Sequence, residues 1–171
     1  MRKTFLTFFV VAILTIIVAA VGCGKSSNSS GYTPCTDLAP SADSSALLSF
    51  AKANGITPVK DTTGLYYQII TQGAGPTPNS NSLVYITYTG TRMDGSIFDS
   101  TTNSSKTGWQ LNTLIPGWQI GLPKIQVGGH IKLLIPSAYA YGCQGVLSQQ
   151  GTPIIIPNAP LYFDVNLVSI Q

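Results

Sequence analysis

Apolar residues recur along this chain at three different spacings, and each spacing predicts a different element. A nearly continuous apolar run covers residues 5–21, interrupted by Thr7 and Thr15, and gives way at 24–31 to small polar residues with nothing to bury. That stretch predicts a flexible spacer. From Ser41 the spacing turns helical: Ser41 or Asp43 can cap a short helix that sets Ala46, Leu47, Phe50 and Ala51 on one face, and Asn54-Gly55 ends it. Farther on the period drops to two. Residues 65–71 and 83–92 are rich in β-branched and aromatic side chains, with Val84, Ile86 and Tyr88 on one face of the second stretch, so both read as strands. Met93-Asp94-Gly95-Ser96 signals a turn into Ile97-Phe98-Asp99, and a long loop is expected over 100–108.

Pro116, followed by Trp118, Leu122 and Ile125 at helical spacing, predicts one brief helix with its apolar side against a sheet. After the Val127-Gly128-Gly129 turn, residues 130–135 carry apolar side chains on both faces, as a central strand does. The last strand, 161–170, puts Phe163, Val165 and Leu167 on one face and Tyr162, Asp164, Asn166 and Val168 on the other. No internal repeat is present.

Composition narrows the function classes. With 171 residues and 18.1 kDa, the chain has room for one domain with one core. The net charge of +3 rests on 9 Lys and Arg against 6 Asp and Glu, and two of the cations, Arg2 and Lys3, sit at the extreme N-terminus. No basic stripe remains for nucleic acid. Charged residues are only 9%, against about a quarter in ordinary domains, so solubility rests on Ser, Thr, Asn and Gln.

Arg2 and Lys3 ahead of the apolar run make a signal-peptide pattern; the rival reading is a single membrane-spanning anchor, for which the run is about the minimum length. Ala20-Val21-Gly22-Cys23 favours the first, because it resembles the bacterial lipobox in which the cysteine is lipidated, with Ala20 where Leu is more usual. Cys35 and Cys143 are then an even pair, either joined or two free thiols. One His and two scattered Cys cannot fill a metal site. His130, with no acidic or thiol neighbour in sequence, reads as a surface or edge residue.

From residue 65 onward the chain resembles the FKBP-type peptidyl-prolyl cis/trans isomerases. Four blocks in the family's order carry the likeness: Val84-Tyr85-Ile86-Thr87-Tyr88-Thr89-Gly90, Asp94-Gly95-Ser96-Ile97-Phe98-Asp99-Ser100, Leu114-Ile115-Pro116-Gly117-Trp118 and Ala138-Tyr139-Ala140-Tyr141-Gly142. Leu161-Tyr162-Phe163-Asp164-Val165 closes the set. The resemblance implies an α+β fold, an antiparallel and strongly twisted sheet wrapped around one short helix, preceded by the short helical extension of exported bacterial members. The expected organisation is a signal peptide over 1–22, lipidated Cys23 and linker over 23–40, helical extension over 41–63 and isomerase domain over 64–171.

Carried over residue by residue, the resemblance assigns Tyr88, Phe98, Asp99, Ile115, Trp118, Tyr141 and Phe163 to the family's proline pocket. Leu114 stands where Val is common, and Ile154 with Ile155 takes the apolar lip. The upstream wall either falls to Trp109 or is left open at Thr107. The loop 143–153 is longer than in the minimal member, and Ile156-Pro157-Asn158 replaces the usual Pro pair.

The implied activity is noncovalent isomerisation of X-Pro bonds in exported proteins, without cofactor or metal. The implied partners are proline-containing polypeptides, a bacterial membrane facing the periplasm or outer membrane reached through the lipid, and macrolide inhibitors. The protein is expected to be a monomer. A non-catalytic chaperone using the same groove is the alternative.

Overall fold

Residues 35–171 are described in the computed structural model; the signal-peptide, lipobox and spacer expectations lie outside them. Helix α1 (Ser44–Ala53) follows a 3-10 turn, Pro40–Asp43. Nine strands come after or around a second helix: β1 (Val59–Lys60), β2 (Tyr66–Thr71), β3 (Leu83–Arg92), β4 (Ile97–Thr101), β5 (Trp109–Gln110), then α2 (Pro116–Gly121), β6 (His130–Ile135), β7 (Val146–Leu147), β8 (Pro153–Ile155) and β9 (Leu161–Ile170). The main sheet runs β1-β2-β6-β9-β3-β4, with β5 also paired to β3, and every pairing is antiparallel. This is the α+β architecture the sequence led us to expect.

Alternation along the strands decides what covers each face. Ile131, Leu133 and Ile135 of β6 pair with Val165, Phe163 and Leu161 of β9, and together with Val84, Ile86 and Tyr88 of β3 they form one buried face under α2. The opposite face carries the row Tyr66, Leu134 and Tyr162, paired across β2, β6 and β9. Leu47, Phe50 and Ala51 of α1 cover that row, with the Phe50 and Tyr162 rings 5.2 Å apart. Strand β6 buries apolar side chains on both faces, Ile131, Leu133 and Ile135 toward α2 and Leu134 toward α1, because two different helices close on it.

Several local expectations need correction. Ala46 is exposed rather than on the buried face of α1. Asp43 does sit at the N-cap position, but its side chain makes no cap hydrogen bond. It is instead buried and accepts from the backbone N–H and the hydroxyl of Ser137, both at 2.7 Å. A long-range pair of charge-assisted bonds outcompetes a local cap. The loop after Asp99 is shorter than expected, since β4 continues to Thr101 and a 3-10 turn fills Ser104–Lys106. The stretch after Cys143 is no plain loop but the β7–β8 hairpin. Cys35 and Cys143 are joined by a disulfide with a Cα–Cα distance of 5.7 Å. Among the described residues, no helix is long and apolar enough to cross a membrane.

Candidate functional site

Trp118 is the base around which the site is built. Pro116 occupies the first turn of α2, where its missing N–H costs nothing. Gly117 and Gly121, one turn apart, let the helix lie directly on β6: a Cβ on either would fall 2.5 Å from Ile135 or Leu133. Trp118 is thereby pressed onto the face shared by the paired strands β3 and β9 and is only 4% exposed. Its ring meets Tyr88 at 5.1 Å and 77°, and Phe163 at 5.1 Å and 83°. Trp109, brought in by the pairing of β5 with Val84, stands 6.4 Å away. Edge-to-face contacts of this kind suit ring quadrupoles and hold each ring at a fixed angle.

These four rings line a cavity of about 350 Å³, together with Asp99, Thr113, Leu114, Ile115 and Tyr141. Polar groups gather at its edge. The Tyr88 hydroxyl donates to Asp99 at 2.5 Å. Burial, then the hydrogen bond and charge of Asp99, push the Tyr88 phenol well above its usual range, so it stays a donor at any ordinary pH. Tyr141 is also raised, chiefly by burial and then by Asp99, and no hydrogen bond ties its hydroxyl to another described residue. The Gln119 side-chain amide donates to the Leu114 carbonyl at 2.6 Å. In a trans peptide this leaves the Ile115 N–H pointing the other way, without a protein acceptor among the described residues. The Trp118 indole N–H is likewise buried and unpartnered.

Tyr88, Asp99, Ile115, Trp118, Tyr141 and Phe163 therefore share one cavity, as do Leu114 and Trp109. Phe98 does not line it. Its ring stands behind Phe163 at 5.6 Å and 87°, under the Arg92 guanidinium. Ile155 is buried in the main core, and Ile154 is exposed, its carbonyl accepting from Arg92 Nε at 3.0 Å and Nη2 at 2.5 Å. Neither forms the lip. Thr107 is spent on β3, accepting from the Ile86 N–H and donating to the Ser104 carbonyl, so Trp109 supplies the upstream wall.

Thr113 and Gln119 were not anticipated; Gln119, next to Trp118 and reaching back along α2, is the one that composition and spacing gave a means to find. His130 lies on the sheet face away from the cavity, 2.5 Å from Asp164 of the neighbouring strand. That acidic partner is remote in sequence and is supplied by strand pairing. Among the described residues no three ligating side chains cluster as a metal would require.

A site made of aromatic walls and hydrogen-bond donors, on an antiparallel sheet closed by one short helix, defines a class. The chain belongs to the FKBP-type peptidyl-prolyl cis-trans isomerase family, whose profile matches residues 75–168. It is 41% identical over 123 residues to the FKBP-type peptidyl-prolyl cis-trans isomerase FkpA of Escherichia coli K12, covering 71% of this chain and 43% of that protein. Against the outer membrane protein MIP of Legionella longbeachae it is 37% identical over 110 residues, covering 64% and 45%. The chain thus spans less than half the length of these curated relatives. The crystal structure of FkpA from Escherichia coli superposes with a TM-score of 0.62 at 36% identity, over 78% of this chain and 59% of the other. A peptidyl-prolyl cis-trans isomerase from Pseudomonas syringae pv. tomato DC3000 gives 0.62 at 29% identity, over 80% and 99%.

Proposed function

We propose that this protein accelerates cis/trans isomerisation of X-Pro bonds in exported polypeptides, using the cavity over Trp118. The observation that carries this reading is the convergence of Tyr88, Trp109, Trp118 and Phe163 on one opening whose rim holds Asp99, Tyr141 and the Ile115 N–H. An X-Pro bond has nearly balanced isomers but a barrier of about 18–20 kcal/mol, set by amide resonance. Water stabilises the planar, polar amide. Aromatic walls exclude that water, and the twisted transition state, with less charge separation, loses less by entering. The prolyl ring rests on Trp118, while the Ile115 N–H and the Tyr141 hydroxyl hold substrate carbonyls. Asp99, fixed by the Tyr88 hydroxyl, orients the rim. No nucleophile is needed, and the binding is noncovalent. Macrolide inhibitors are assigned to the same cavity.

The test is a protease-coupled assay on a prolyl peptide with wild type, Asp99→Ala and Trp118→Phe, each checked for a cooperative unfolding transition. We expect a rate well above buffer for wild type and a fall of about tenfold in each variant, equivalent to about 1.4 kcal/mol of transition-state binding. A well-folded wild-type protein no faster than buffer refutes the activity, and full activity in both variants refutes the placement.

We further propose that residues 1–22 direct export and that Cys23 carries a lipid. The Cys35–Cys143 disulfide supports an oxidising compartment, and one relative is named an outer membrane protein. Intact mass of the mature protein tests this: a chain beginning at diacylated Cys23 is expected, and an unmodified Cys23 refutes it.

A further inference from the structure

A second cavity, of about 310 Å³, adjoins the first. The two share Tyr141, and the backbone passes from Ile115 in one to Pro116 in the other. A polypeptide with its proline over Trp118 that continues past Tyr141 enters this second space. Its walls differ from the aromatic ones: Ala138, Ala140 and the Cys35–Cys143 bridge are small, the exposed lining is more polar than apolar, and Asp37 supplies the only formal charge among the described residues that line it.

Asp37 is held in place from several sides. The disulfide anchors the chain two residues before it. The Cys143 backbone N–H donates to its Oδ1 at 2.7 Å. Gly142, in a left-handed conformation with φ of 56°, has no Cβ because one would strike the carboxylate. These restraints engage one carboxylate oxygen and leave the other with no described partner. A fixed anion in a mainly polar cavity with small walls suits a slender side chain that ends in a cation.

We propose that this cavity is a specificity subsite in which Asp37 selects a lysine or arginine side chain on the substrate residues flanking the prolyl bond. This rests on the proline-pocket reading above for where the substrate lies. It assigns a role to the segment ahead of α1, outside the residues matched to the family.

The test uses the full chain and prolyl peptides carrying Lys, norleucine or Glu at successive positions on each side of the proline. Turnover is read by exchange spectroscopy and affinity by fluorescence anisotropy. At one position Lys is expected to exceed Glu by about two- to fivefold in kcat/KM and in affinity, the range of a solvent-exposed ion pair, with the ratio shrinking in high salt. Asp37→Asn keeps an acceptor for the Cys143 N–H, so it is expected to bring the ratio close to one while leaving the norleucine peptides unchanged. A Lys preference at no position, or one that survives in Asp37→Asn and so belongs to Asp99, overturns the subsite. Binding with an Asp37-dependent ratio but no turnover refutes the isomerase reading and leaves the subsite standing. Turnover with equal affinities for Lys and Glu peptides does the reverse.

Discussion

Gly90 is a position where a single methyl group would press on the aromatic stack. It lies in β3, opposite Phe163 of β9 and Asp99 of β4. A Cβ there would sit 2.7 Å from Phe98 Cζ and 2.9 Å from Phe163 Cε1. Carbon contacts are comfortable at about 3.5–4.0 Å, so the rings must retreat by roughly 0.6–1.3 Å. Phe163 has little room: it is 2% exposed and its ring already meets Trp118 at 5.1 Å.

Two effects oppose each other in Gly90→Ala. Replacing a strand glycine by alanine stabilises by about 0.5–1 kcal/mol, whereas overpacking costs about 1–3 kcal/mol. The clash wins because both obstructing atoms belong to rings locked edge to face. We expect a net loss of about 1–2 kcal/mol, read as a drop of about 4–8 °C in Tm. Since Phe163 has no retreat except toward Trp118 and the cavity, kcat/KM on a prolyl peptide should fall about tenfold, or 1.4 kcal/mol. Calorimetry and the coupled assay on the same preparation decide it. An unchanged or raised Tm with full activity would refute the claim that Gly90 makes space for the aromatic stack.

Other expectations follow from single contacts. Asp43→Ala strands the N–H and hydroxyl of fully buried Ser137, and should cost about 2–4 kcal/mol in urea unfolding. Reducing the Cys35–Cys143 bond, which spans 108 residues, should lower stability by about 2–4 kcal/mol, measured as a shift in urea midpoint with and without reductant. Burial raises the Asp61 carboxyl, but hydrogen bonds from Lys124 and Thr63 outweigh it and hold its pKa near 2. Its contribution to stability is therefore complete above the ordinary carboxylate pKa of 3.8 and is lost as pH falls toward 2. Asp61→Asn should flatten the decline of Tm with acid in that window, and an identical acid limb would contradict the assignment.

Period-two patterning placed β3 and β9 within a residue of their bounds, because alternating burial dictates alternating side chains, whereas β6 was placed by its apolar residues on both faces after the Val127-Gly128-Gly129 turn. The ring cluster was legible only through the family blocks, since Trp118, Phe163 and Tyr88 look like ordinary core residues until a cavity opens over them. What stayed hidden depends on contacts remote in sequence. Asp43 is drawn off the helix cap by Ser137, 94 positions on, and His130 gains Asp164 through strand register. Ile154 and Ile155 were assigned to the lip by analogy, but the β7–β8 hairpin folds Ile155 inward and turns Ile154 to solvent. Phe98 supports Phe163 from behind, a distinction between first and second layers that linear order does not carry.

The central claim is that a prolyl ring occupies the space over Trp118. The chain has two tryptophans, Trp109 and Trp118, and both line that space, so their indole N–H signals in a nitrogen-edited spectrum report on it directly. On titration with a prolyl peptide, both signals should move along one saturable isotherm, while the same peptide with alanine for proline leaves them in place. Tryptophan signals that stay still at peptide concentrations where isomerisation is being catalysed would contradict the account.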